Sequence, residues 1–142
     1  MSQQEVIFEA YFQAPPEKVF AIFADHERFG RVWGAKFKRI KDGQGDPNGL
    51  GSVRDIHMGL LHFEETIKTF EPSSLIEYTV SAGKALIHNH LGRIEFRAEN
   101  GGTRLNYRIQ FEPDIPLTGG LVAAIMRNSF KPARVTELLS GR

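Results

Sequence analysis

The order in which hydrophobic periods change along this chain narrows its fold more than any single motif does. One alternating segment comes first, then a short helical stretch opened by proline, a long run at period two, and a final helical period. Period two builds strands and period 3.6 builds helices. Residues 5–12 put Val6, Phe8, Ala10 and Phe12 on one face and Glu5 and Glu9 on the other, with Ile7 and Tyr11 blurring the outer side. Ala14-Pro15-Pro16-Glu17 opens a helix, because proline in the first turn gives up no intrahelical bond, and Val19, Phe20 and Phe23 recur at helical spacing as far as Asp25. Residues 26–33 predict a second short helix with Phe29 and Trp33 on one side. Strand patterning starts at Phe37 and resumes over 52–58, 61–70, 75–82, 88–98 and 103–111, broken at Gly59, Pro72, Gly83 and Asn100-Gly101. The stretch 42–51 reads as a flexible connection between two strands. The last segment places Leu121, Val122, Ile125, Met126, Ser129 and Ala133 in one stripe, with Thr118 positioned to cap it and Pro132 to bend it. Such an order suits a curved antiparallel sheet gripping a helix across an apolar hollow, the kind of space where small ligands bind.

Composition removes several function classes. With 142 residues, 41% hydrophobic and 25% charged, the chain has enough material for one core, and a single domain over 1–142 is expected. Eighteen Lys and Arg against seventeen Asp and Glu give a net charge of +1, so no overall field recruits nucleic acid. Cysteine is absent, which excludes disulfides, thiolate nucleophiles and Cys-ligated metals and suits a reducing compartment. No stretch approaches the roughly 20 apolar residues of a membrane span, and the N-terminal residues lack a basic segment followed by an apolar core. A cytoplasmic protein is the expectation.

Two turns set which side chains face inward. If Gly59-Leu60 closes a hairpin with glycine first, Met58 faces Leu61, Ile56 faces Phe63 and Arg54 faces Glu65. Arg54 and Glu65 then both lie on the apolar face, where a lone charge is costly and a facing guanidinium and carboxylate offset part of the desolvation. Either the two form a structural ion pair, or they anchor a polar group of a ligand from the cavity wall. Asn100-Gly101 suits a type I′ turn and pairs Ala98 with Thr103, Phe96 with Leu105, Ile94 with Tyr107 and His90 with Phe111. By the same parity, His88 and His90 both point into the hollow.

Two histidines with Glu65 nearby invite a metal reading, since imidazole and carboxylate suit zinc or iron; a neutral histidine in a mostly apolar pocket is the commoner outcome, and no metal or cofactor is expected. Trp33, Tyr78, Tyr107, Met126 and Phe130 are further candidates for the lining. The two tyrosines need hydroxyl partners if buried. The glycine-rich 43–51 stretch lacks the endings of a phosphate or calcium loop. Lys36, Lys38, Arg39 and Lys41 read as a solvated strand face.

Phe12-Gln-Ala-Pro-Pro-Glu-Lys-Val-Phe20, Ala24-Asp25, Gly51-Ser-Val-Arg54, the Glu65 strand ending at Glu71-Pro72, the Tyr78 strand and Gly101-Gly-Thr-Arg-Leu105 together resemble the polyketide cyclase/dehydrase branch of the START-like (SRPBCC, Bet v 1-like) superfamily. The resemblance spans nearly the whole chain. It implies an α+β helix-grip fold, in which a seven-stranded curved antiparallel sheet wraps a long C-terminal helix and two short helices separate strands 1 and 2. By that resemblance, cavity-wall positions are Arg54, Glu65, Tyr78 and those on the final helix. Its members include carriers of lipids and sterols, aromatase/cyclases and chaperone activators. The leading expectation is binding of a small hydrophobic molecule of lipid, isoprenoid or polyketide type. The alternatives are a cyclase or dehydratase using a cavity histidine and Arg54, and an interaction module like the chaperone activators.

Overall fold

The computed structural model describes residues 3–141. Strand β1 (Gln4–Phe12) leads into helices α1 (Pro16–Ala24) and α2 (His26–Trp33). The remaining strands are β2 (Lys36–Lys41), β3 (Val53–Met58), β4 (Leu61–Glu71), β5 (Leu75–Lys84), β6 (Ile87–Glu99) and β7 (Gly102–Pro113), followed by helices α3 (Gly119–Ser129) and α4 (Pro132–Leu139). All seven strands join one antiparallel sheet in the order β1-β7-β6-β5-β4-β3-β2, so the first strand reaches across to pair with the last. Register shifts in β2, β4 and β6 mark bulges, which add twist and let the sheet curve around its contents. The α+β helix-grip expectation holds.

Local chemistry explains the joints. Pro16 occupies the first turn of α1, and Asp25 both ends α1 and caps α2, its carboxylate accepting from the Arg28 N–H at 3.0 Å. Gly34 closes α2 in the left-handed region at φ +71°, where a Cβ is penalised. The 42–51 segment is more tightly built than its glycine content suggests: Gly43 N–H bonds Pro47 O, Gln44 N–H bonds Leu50 O, and Arg39 donates to the Asn48 side chain at 2.7 Å. It is a self-bonded turn and not a slack connection.

The final helix bends so sharply at Pro132 that it divides. Phe130 and Lys131 adopt extended backbone between α3 and α4, because proline supplies no N–H and disfavours helical conformation in the residue before it. The break has two uses. Phe130 turns into the core, 2% exposed, against Phe8, Trp33 and Tyr107. The helix α4 then packs on α1 and α2, while α3 lies along β1 and β7. Thr118 stands at the start of α3, but its hydroxyl donates to Ile115 O at 2.7 Å and does not cap the helix.

Aromatic side chains fill the space beneath the helices: Phe20 and Phe23 of α1 meet Phe96 of β6 at ring separations of 5.1 and 5.4 Å. Among the described residues no helix is long and apolar enough to cross a membrane.

Candidate functional site

Between the sheet and α3 lies a cavity of about 350 Å³, walled chiefly by apolar side chains from α2, β3–β7, α3 and the loops beside them. Trp33, Glu65, Tyr78, His90 and Met126 line it, as do Phe29, Ile56 and Phe63. Its open side is bordered by Ile115, Leu121 and Ile125, each at least half exposed. The stripe expected on the last helix is therefore only partly buried: Val122 and Met126 face the sheet and Leu121 and Ile125 form a rim. A larger hollow of about 630 Å³ runs among outward charged residues such as Glu9, Arg93, Arg97 and Arg104. Those side chains engage neighbours on the solvent face, Arg93 with Glu77 at 2.6 Å and Arg104 with Glu99 at 2.7 Å, so it is an ion-pair surface.

The first hairpin delivers its charges inward. Arg54 faces Glu65 across β3 and β4, the two residues 1% and 7% exposed. Arg54 Nε donates to Glu65 Oε1 at 2.9 Å, and Nη2 lies 2.7 Å from the same oxygen without an aligned acceptor of its own. The guanidinium is roofed by aromatics, its carbon 4.4 Å from the centre of the Tyr78 ring and 4.9 Å from that of Phe29. Arg54 thus sits one layer behind the lining, and Glu65 occupies the wall. With Oε1 committed to Arg54, Glu65 Oε2 has no partner among the described residues and is available to whatever enters.

Behind Arg54 stands a residue that pattern reading passed over. His26 Nδ1 lies 3.3 Å from Arg54 Nη1 and its Nε2 lies 3.1 Å from Ser52 Oγ, so a buried chain runs Ser52–His26–Arg54–Glu65. Burial, with Arg54 adding to it, lowers the His26 pKa to about 3. The neutral ring accepts from the guanidinium at Nδ1 and donates from Nε2 to the serine. Its position three residues before Phe29 on a short helix was the available signal.

The second hairpin treats its histidines differently. Pairing runs regularly from Glu99↔Gly102 to Leu91↔Gln110 and then slips, so that His88 meets Glu112 where simple counting put Pro113. Asn89, at φ +48°, is part of the bulge, and its side chain donates to Glu112. The expectation that both imidazoles share the hollow is thereby corrected. His88 points outward, its side chain 47% exposed and 2.6 Å from Asp114, whereas His90 stays on the wall. His90 Nδ1 accepts from the Val80 N–H at 3.1 Å. In the neutral ring that leaves the proton on Nε2, a donor without a partner among the described residues. Burial lowers the His90 pKa, against the opposing pull of Glu65.

Tyr78 and Tyr107 satisfy each other hydroxyl to hydroxyl, and burial raises both pKa values, so both remain neutral. The Tyr78 ring lies across its strand partner Gly92, where any Cβ would overlap it. Tyr107 and Phe130 belong to the packed core behind the lining. Tyr11 has a structural task, its hydroxyl donating to the carbonyls of Glu99 and Asn100 at the β6–β7 turn.

A seven-stranded sheet gripping helices over an apolar cavity with a few inward polar groups defines the helix-grip class of ligand-cavity proteins. The sequence matches the family described as polyketide cyclase / dehydrase and lipid transport over residues 3–140, and the chain belongs to that family. Among solved structures, a Thermus thermophilus protein is similar at 21% identity and TM-score 0.73, covering 96% of this chain and 94% of its own. The aromatase/cyclase of a Streptomyces species is similar at 17% identity and TM-score 0.67, over 99% of this chain and 84% of its own. Norcoclaurine synthase from Thalictrum flavum is similar at 10% identity and TM-score 0.65, over 99% and 88%. Such likenesses establish the shared fold. No curated protein matches the chain significantly.

Proposed function

We propose that this protein binds a small, largely apolar molecule carrying one hydroxyl group, held in the cavity with that group at Glu65 and His90. The observation that carries the reading is the pairing of two unused polar positions on one greasy wall: an acceptor at Glu65 Oε2 and a donor at His90 Nε2. In this reading the ligand hydroxyl donates to the carboxylate and accepts from the imidazole, both of which line the same cavity. A volume of about 350 Å³ falls in the range that holds compact ligands. Burying roughly 200 Å² of ligand carbon at about 25 cal/mol per Å² contributes on the order of 5 kcal/mol, before ordering costs.

The cyclase or dehydratase alternative draws less support from the same geometry. Arg54 is roofed by Tyr78 and Phe29 and engaged by Glu65 and His26, so it is poorly placed to meet a developing enolate. The one cavity-facing histidine nitrogen already carries a proton that a neutral imidazole gives up only with great difficulty, which makes His90 a fixed donor more than a proton shuttle.

Native mass spectrometry of protein purified from its source tests the reading, followed by displacement of anilinonaphthalene sulfonate from the cavity. The expected outcome is a retained molecule of this polarity, with Glu65→Gln and His90→Phe each weakening its binding roughly tenfold, the worth of one buried hydrogen bond. Empty protein whose dye binding is insensitive to both substitutions would overturn it.

A further inference from the structure

The hairpin that presents Arg54 and Glu65 to the cavity carries a different set of residues on its outer face. Alternation along β3 and β4 sends Asp55 and His57 outward from one strand and His62 and Glu64 from the other. His57 and His62 are direct cross-strand partners, and their rings stack with centres 3.9 Å apart and planes 23° from parallel. Asp55 lies beside them: its Oδ1 is 2.6 Å from His62 Nε2 and its Oδ2 is 3.1 Å from His57 Nε2. One nitrogen from each imidazole and one carboxylate thus converge, all within 4.8 Å of one another.

We infer that Asp55, His57 and His62 form a binding site for a divalent transition-metal ion, with zinc the fitting choice among common ions. Two imidazoles and one carboxylate are a borderline donor set that suits zinc, copper or nickel and not magnesium or calcium, which take oxygen ligands. Ligands about 2.0–2.1 Å from one tetrahedral ion stand roughly 3.3 Å apart, and the Asp55–His57 separation is already close to that. The Asp55–His62 contact opens by a fraction of an ångström as the proton between them gives way to the ion. Rigid antiparallel strands fix the backbone on both sides, so only side-chain rotation is needed. The fourth position falls to water, since both rings are more than half exposed. Charge allows it. Lys36, Lys38 and Lys84 are strand neighbours of His57, Asp55 and His62, but all are exposed and keep their ammonium groups in solvent, while Glu64 opposite Asp55 adds a second carboxylate. The ion would tie β3 to β4 directly behind the wall that holds Glu65, which distinguishes this site from the cavity histidine.

Isothermal titration of chelator-treated protein with zinc chloride is the test, with cobalt absorption as a second readout. The expected result is one ion per chain, a tetrahedral cobalt band, and no competition from excess magnesium. His57→Ala and His62→Ala should each weaken zinc binding by more than about a hundredfold, the upper end of what loss of a mere supporting contact costs, and His88→Ala should leave it unchanged. All three residues replaced are exposed, and circular dichroism confirms that the variants fold. Absence of saturable binding overturns the proposal. So does binding that survives both substitutions or that disappears in His88→Ala, since the ion would then sit elsewhere.

Discussion

The hairpins β3–β4 and β6–β7 start alike and end differently. Both are closed by turns with positive-φ residues, Gly59 at +60° in one and Asn100 and Gly101 at +49° and +77° in the other. In β3–β4 the pairing is unbroken from Met58↔Leu61 to Val53↔Thr66, so inward and outward alternate faithfully and two charged side chains arrive on the apolar face. In β6–β7 the pairing is equally regular until Leu91, and then a bulge adds a residue and sends His88 to the solvent side. Parity counted from a turn is reliable along an uninterrupted ladder and fails past the first bulge. The difference decides chemistry: the first hairpin supplies a buried ion pair, and the second supplies one cavity imidazole where two were expected.

The strongest way to break this comparison is to remove one member of the inward pair. Arg54→Met leaves the Glu65 carboxylate unpaired in an apolar wall and should cost about 3–5 kcal/mol, the usual penalty for orphaning a buried charge. The double variant Arg54→Met with Glu65→Leu should recover most of that loss, because neither charge is then stranded. Urea unfolding of the three proteins checks both statements. A single variant within about 1 kcal/mol of the parent would mean that Glu65 is not truly held by Arg54.

Most of the architecture could be read from the sequence because strand and helix periods are clean and both turns are strong: the Arg54–Glu65 and Ala98–Thr103 pairings are those counted from Gly59 and Asn100-Gly101. Trp33, Tyr78 and Met126 stand on the cavity wall, on elements whose periods are equally clean. What escaped depends on events that leave little trace in a single sequence. Asn89 takes up the bulge with a left-handed backbone that asparagine tolerates but does not announce. The helical period puts Phe130 with the lining, and the break before Pro132 drives it into the core instead. His26 became visible only once α2 was docked against β3, since contact between elements is not encoded by the period of either. The outward His57–His62 pair is implicit in the Gly59 register, but the alternation that marks the apolar face gives outward residues no signal of their own.

A second prediction sharpens the first hairpin's side of the comparison through pH. The folded-state pKa of His26 is lowered to about 3 from an ordinary 6.5, so below pH 6.5 the unfolded chain takes up a proton that the native protein refuses. Stability is therefore complete above about pH 6.5 and declines from there toward pH 3, by at most ~1.4 kcal/mol per pH unit for this residue. His90, also lowered by burial, adds to the decline in the same sense. His26→Asn should be less stable than the parent at pH 7.5, having lost two buried contacts, yet show a shallower decline between pH 6.5 and 4. Denaturation midpoints across that range provide the measurement, and parallel curves for the two proteins would remove His26 from the account.

The second hairpin's side is tested by smaller effects at the bulge itself. Asn89 sits at φ +48°, a region that costs a β-branched residue on the order of 1–2 kcal/mol and glycine almost nothing. Asn89→Val should therefore destabilise by about that amount, and Asn89→Gly should lose only the side-chain bond to Glu112, a few tenths of a kcal/mol. His88→Ala removes an exposed imidazole facing Asp114 and should shift stability by no more than about 0.5 kcal/mol, with dye binding in the cavity unchanged. The contrast with His90→Phe, two residues along the same strand, isolates the consequence of one inserted residue: if His88→Ala weakens cavity binding as His90→Phe does, the strand is not bulged in solution and both rings face inward after all.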